Sequence, residues 1–170
     1  MTGSTTLTRE RADLIESLRR HRYFLRFTVR GLTDEQAMLR PTASALNLAG
    51  LIKHVAATEA EWVRFAEAGA RAMHRNWGPD VLNRHWHLAA GETLAGLLAD
   101  YEAVAQHTDE LVATLPDLDA DHALPEAPWF EPGARWSARR VFLHVIAETA
   151  QHAGHADILR ESIDGQKTMG

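Results

Sequence analysis

Apolar residues recur every three or four positions in four long segments, and period-two alternation is almost absent, so the pattern predicts helices. The first segment runs from about Thr8 to Arg30, with Leu14, Leu18, His21 and Leu25 on one face and Gly31 as its stop. Thr33-Asp34-Glu35-Gln36 then spells a capping box, and Pro41 closes that turn. The second helix starts near Ser44 and ends at about Ala68 before Gly69, with Leu51, Val55, Thr58, Trp62 and Phe65 inward. A third, from about Glu92 to Leu115, carries Leu94, Leu98, Tyr101, Ala105, Thr108 and Val112 and stops at Pro116. Ser137 caps the fourth, which continues to about Ile163 before Gly165. Helices of this length span ~35–40 Å at 1.5 Å per residue and are marginal alone. They predict an all-α, up-down four-helix bundle with two long loops, as one domain over residues 1–170.

The loops, Ala70–Gly91 and Asp117–Trp136, are long for a compact domain and hold unusual residues. His74, Trp77, His85, Trp86 and His87 lie in the first, and His122, Trp129 and Phe130 in the second. The fourth helix departs from an apolar stripe: Val141, Val145, Glu148, His152, His155 and Leu159 occupy its inward positions. An inward carboxylate without a partner costs several kcal/mol, so it pairs or binds a cation. Glu148 and His152, four apart, sit on one helical face. His144 lies a turn before Glu148 and His155 nearly a turn after His152. His54, beside the stripe of the second helix, can turn into the same interior. Two imidazoles and a carboxylate suit zinc and other late divalent ions and leave positions open for water or substrate. The plain alternative is a solvated Glu–His pair worth a few tenths of a kcal/mol. His21 reads as a boundary histidine, His107 and His122 as surface and His74 as loop; His85 and His87 have no third partner in view. Trp62 and Phe65 read as core, whereas Trp129 and Phe130, in a proline-containing loop, are candidates to line a pocket. No serine has a nucleophile-elbow setting.

Composition narrows the choices. The 18 Lys+Arg against 23 Asp+Glu, a net charge of −5, argue against nucleic acid as a partner. With no cysteine there is no disulfide, thiolate ligand or cysteine nucleophile. The polar opening Met1–Thr8 lacks a signal-peptide core, and no apolar run approaches a membrane span, so the expected location is cytoplasmic, away from membranes.

The segment His144-Val-Ile-Ala-Glu148-Thr-Ala-Gln-His152-Ala-Gly-His155-Ala-Asp157-Ile-Leu-Arg160-Glu, ending Ile163-Asp-Gly165, resembles the DinB/YfiT-like superfamily of metalloenzymes. Gly31-Leu-Thr-Asp-Glu-Gln-Ala, Arg40-Pro-Thr, Leu51-Ile-Lys-His54-Val-Ala and Trp86-His-Leu with Gly91-Glu-Thr-Leu-Ala extend the likeness, toward an actinobacterial branch, in order along nearly the whole chain. The resemblance implies a bundle holding a divalent ion on three side chains. Its first ligand maps to His54. Many members follow with His-x-x-x-His and Arg-Gly-Gln, which maps the other two to Glu148 and His152. Glutamate in place of the first histidine is shared by the mycothiol-dependent maleylpyruvate isomerase branch. His155 then takes the usual Gln place beside the metal, and His155 and His144 are the candidates for catalytic work. Trp86 and Trp129 are the candidates for binding the thiol cofactor or its electrophile.

Characterised relatives transfer low-molecular-weight thiols or isomerise with one as cofactor. The expected reaction is mycothiol S-transfer to a small electrophile, with zinc as the expected ion and nickel or another divalent ion as alternatives. An isomerase acting on an unsaturated diacid would instead need cations such as Arg135, Arg139 or Arg140 at the pocket. A third reading is a non-catalytic, metal-stabilised binding bundle, and a homodimer is left open.

Overall fold

A computed structural model describes residues 7–74 and 86–168. Helix α1 is Arg9–Phe27, the short α2 is Asp34–Ala37 and α3 is Leu48–Ala68. After a 3₁₀ turn at Ala70–Ala72 come α4, Leu94–Thr114, two short strands, and α5, Ala138–Asp164. Each start has a side-chain cap. Thr8, Asn47, Thr93 and Ser137 accept from Arg11 N, Gly50 N, Gly96 N and Arg140 N, and the capping box at Thr33 forms with Gln36. The second long helix therefore begins at Asn47 rather than near Ser44, because the Asn47 carboxamide satisfies a free amide of the first turn. Gly165, at φ 77°, ends α5 in the left-handed conformation.

The all-α four-helix bundle expected from the pattern is what the chain forms, and the contacts give its helix directions. The start of α1 meets the end of α4, through Arg11 to Val112 O and Leu115 O, and Arg26 reaches Leu98 O. Glu10 pairs with Arg139, and Arg160 donates to Thr28 O, so α1 and α5 are parallel. Lys53 pairs with Glu92 and Glu67 with His107, so α3 and α4 are parallel too. The directions are up, down, down, up, which corrects the alternating up-down order expected, because α3 and α4 lie parallel. The link from Gly69 to Thr93 must therefore carry the chain back to the far end of the bundle, which accounts for its length. The second link stays at one end and contains a two-stranded antiparallel sheet, β1 Asp121–Ala123 with β2 Arg135–Ser137, that the sparse alternation did not predict. Strands of this length carry too little period-two pattern to register. His122, read as surface, packs its ring 5.8 Å from that of Phe65. No helix among the described residues is long and apolar enough to cross a membrane.

Two apolar clusters fill the interior. One includes Leu18, Trp62, Phe65, Val112, Phe142 and Val145; the other Leu25, Leu51, Val55, Tyr101, Ala156 and Leu159. Along the helices a buried polar layer separates them: Arg22 on α1, Thr58 and Glu59 on α3, Thr108 on α4 and Thr149 on α5. His54, Glu148 and His152 belong to the same level of the bundle, on the side where α3 meets α5.

Candidate metal centre

α3 and α5 run antiparallel in contact, so His54 comes opposite the middle of α5, where Glu148 and His152 share a face. One donor atom from each of these three residues lies within 4.8 Å of the others, and all three are half-buried. His152 Nε2 is 3.6 Å from Glu148 Oε2, and His144 Nε2 is 3.9 Å from Oε1. The rings of His54 and His152 meet edge-on at 4.9 Å. His155 Nδ1 lies 3.4 Å from His152 Nδ1, on the far side of that ring from the carboxylate.

The contact with His152 holds the Glu148 carboxyl below its usual range, helped by the nearby His144, His152 and His54 and opposed by burial. Burial pushes the His144 imidazole down; Arg140 acts in the same sense and Glu148 against it. Among the described residues, the ion pairs of Glu148 are with histidines alone, and no Lys or Arg neutralises it. Two imidazole nitrogens and a carboxylate oxygen converging without a cationic partner form a donor set that fits a divalent ion of the zinc kind.

Aromatic residues flank the donors on both sides. Trp86 stacks on His54 with ring centres 5.6 Å apart, and Asn47 Nδ2 donates to Trp86 O at 2.9 Å. Lys53 Nζ donates to Glu92 at 2.6 Å, and Glu92 accepts from Ala89 N, which ties this stretch to α3. On the other side, His144 touches Trp62 at 4.9 Å and Trp136 at 5.0 Å, and these two tryptophans stack on each other. Phe130 joins that cluster through Trp62 and Trp136; Trp129 touches Phe130 and is 57% exposed. Trp77 and His85 lie outside the described residues. His21, His74, His107 and His122 take no part in the donor cluster. Trp136 escaped the sequence reading because it ends a loop and belongs to no stripe; its proximity to the strong N-cap Ser137 was the available signal.

The fold and this cluster define a class: an all-α DinB-like bundle with a histidine–carboxylate donor set between two of its helices. Residues 13–165 match the family model of mycothiol-S-transferases, and the chain belongs to that family. The search of curated proteins returned no match.

Proposed function

We propose that the chain is a metal-dependent mycothiol S-transferase in which His54, Glu148 and His152 hold a divalent ion, zinc by the donor set or nickel. The observation that carries this is the convergence of three donors, with no cationic side chain on Glu148, in a mycothiol-S-transferase family member. A divalent ion held there supplies the positive charge beside which a thiol gives up its proton near neutral pH. The chain needs no cysteine, because the sulfur comes with the thiol substrate.

The chain's own side chains do the rest. His155 Nδ1 lies 3.4 Å from His152 Nδ1, and by accepting its N–H it would leave His152 Nε2 free to hold the ion. His144 Nε2, beside the Glu148 carboxylate, takes the proton that leaves the thiol. The sulfur then forms a bond to the electrophilic carbon, and the leaving group departs with its electron pair. Trp86 on one side and Trp129 with Phe130 on the other supply apolar surface for the electrophile. Work of this kind belongs in the reducing cytoplasm, where thiols stay free.

The isomerase alternative keeps one of its three candidate cations near the donors, Arg140, which lies beside His144. Arg135 is paired with Asp121, Arg139 with Glu10 and Asp119, and Arg140 lies 4.2 Å over the ring of Trp136. The test is conjugation of mycothiol and of glutathione to a bimane or chlorodinitrobenzene electrophile, with metal-loaded and metal-stripped protein. The loaded form should be faster, and with mycothiol more than with glutathione. Equal rates for loaded and stripped protein would overturn the proposal.

A further inference from the structure

The outward face of α5 carries none of the three donors, and of its charged side chains Arg140 rests on Trp136 and Glu161 pairs with Lys167. Arg140, Leu143, Ala147, Gly154, Ile158 and Glu161 are all exposed and fall on one stripe of the helix. Leu143 at 49% and Ile158 at 60% are among the most exposed large apolar residues described. Gly154 sits near the middle of this stripe. A glycine inside a helix costs roughly 1 kcal/mol relative to alanine. A Cβ added at Gly154 would meet nothing within 4 Å among the described residues, so their packing does not require a glycine there. A second backbone approaching closely from outside would.

We propose that two copies of this chain associate through this face, with their α5 helices antiparallel across a two-fold axis. The stripe is complementary to itself in that arrangement. Centring the contact between Ala150 and Gln151 sets Leu143 opposite the partner's Ile158 and Ala147 opposite the partner's Gly154. The same register sets Arg140 opposite the partner's Glu161. Arg140 has no carboxylate partner among the described ion pairs and rests on Trp136. Glu161 pairs with Lys167 at 3.0 Å, but both are about half exposed, 51% and 47%, and such a pair is weak and easily exchanged. Every favourable contact in an isologous interface occurs twice. A parallel pairing would instead set Arg140 against the partner's Arg140. That charge arrangement selects the antiparallel dimer, and the self-match of the apolar positions selects a second copy over a different protein. One helix pair lies at the low end of stable interface areas, so the dimer should dissociate on dilution.

The inference is independent of metal and of thiol transfer. It is tested by sedimentation velocity of the full chain over a wide concentration range. The wild type should show a concentration-dependent monomer–dimer equilibrium. Gly154→Leu, which fills open space in the monomer but the centre of the contact in the dimer, should weaken association by about tenfold or more (a shift of ~1.4 kcal/mol) while helix content and melting are retained. Arg140→Glu and Glu161→Arg should each weaken it, and the double variant Arg140→Glu/Glu161→Arg should restore it. A wild type that is monomeric at every concentration overturns the proposal. So does a dimer indifferent to Gly154→Leu, which would place the contact elsewhere, such as the groove between α1 and α4. Failure of the double variant to recover the affinity lost in the single ones overturns the antiparallel register.

Discussion

Two inward carboxylates of the same bundle layer meet opposite fates. Glu59 is 1% exposed and accepts from Arg22 Nη2 at 2.5 Å, Arg22 Nε at 3.2 Å and the Thr108 hydroxyl at 2.6 Å. Arg22 also donates to Asp109, and the two carboxylates raise its pKa despite burial. Glu148, on the opposite side of the layer, is half-buried and faces histidines only. A closed, fully hydrogen-bonded ion network holds helices together; a set of donors converging without a Lys or Arg partner is the kind we propose receives an ion. The lesson is that burial and charge do not by themselves mark a functional acid. The identity of its partner does.

The sharpest way to break this comparison is to remove one carboxylate from each side. Glu59→Ala leaves Arg22 buried without its main partner and should cost about 3–5 kcal/mol in urea unfolding, whereas replacing both, as Arg22→Met/Glu59→Leu, should recover much of that. Glu148→Ala in metal-free protein should change stability by less than about 1 kcal/mol, since it breaks no closed network. If Glu148→Ala proves the costlier change, the assignment of structural and functional acids is reversed.

Metal content comes next. His54→Ala, Glu148→Ala and His152→Ala should each cut the divalent ion measured by elemental analysis from about one per chain to a small fraction. His74→Ala and His107→Ala should retain it. His155→Ala should weaken zinc affinity by roughly tenfold or more, with partial rescue by His155→Gln, whose carbonyl can accept the same N–H. A His152 variant with full metal content would exclude it as a ligand.

Acidification separates the regions by a smaller effect. Because burial lowers the His144 pKa from its ordinary 6.5, the folded state binds this proton less readily than the unfolded chain. The stability that His144 contributes is present above pH ~6.5 and is lost as pH falls from there through the folded value. The depressed Glu148 adds a loss at lower pH, below its ordinary 4.5. Thermal melts of stripped protein should therefore fall between pH 7 and 5, and His144→Phe should flatten that slope. An unchanged slope would show that another group is responsible. The smallest change expected is Lys53→Met. It removes a partly exposed pair with Glu92, should cost under about 1 kcal/mol, and should loosen Trp86 from His54, which tryptophan fluorescence would detect.

The helices were legible because each is specified locally. An apolar stripe, a capping side chain and a terminal glycine or proline lie within a few residues of the segment they shape, as Ser137 and Gly165 do for α5. The polar interruption Glu148–His152 was legible for the same reason, since i and i+4 share a face in any helix. The pattern starts α3 a few residues early because Ser44 and Asn47 are both capping residue types, and it is Asn47 whose side chain accepts from a first-turn amide, Gly50 N.

What the sequence by itself determined, then, is everything that depends on near neighbours: four helices, their inward faces, and a carboxylate and imidazole aimed together from one of them. The tertiary structure alone decided that α3 and α4 run parallel, that Arg22 closes on Glu59 across 37 positions, and that His54 rather than an arginine meets Glu148. It also decided that Trp86 stacks on His54 and that Trp136 joins His144. The physical reason is that helix periodicity states which way a side chain points, while its partner depends on which helix packs opposite and in which direction, and that is set by the burial of the whole bundle.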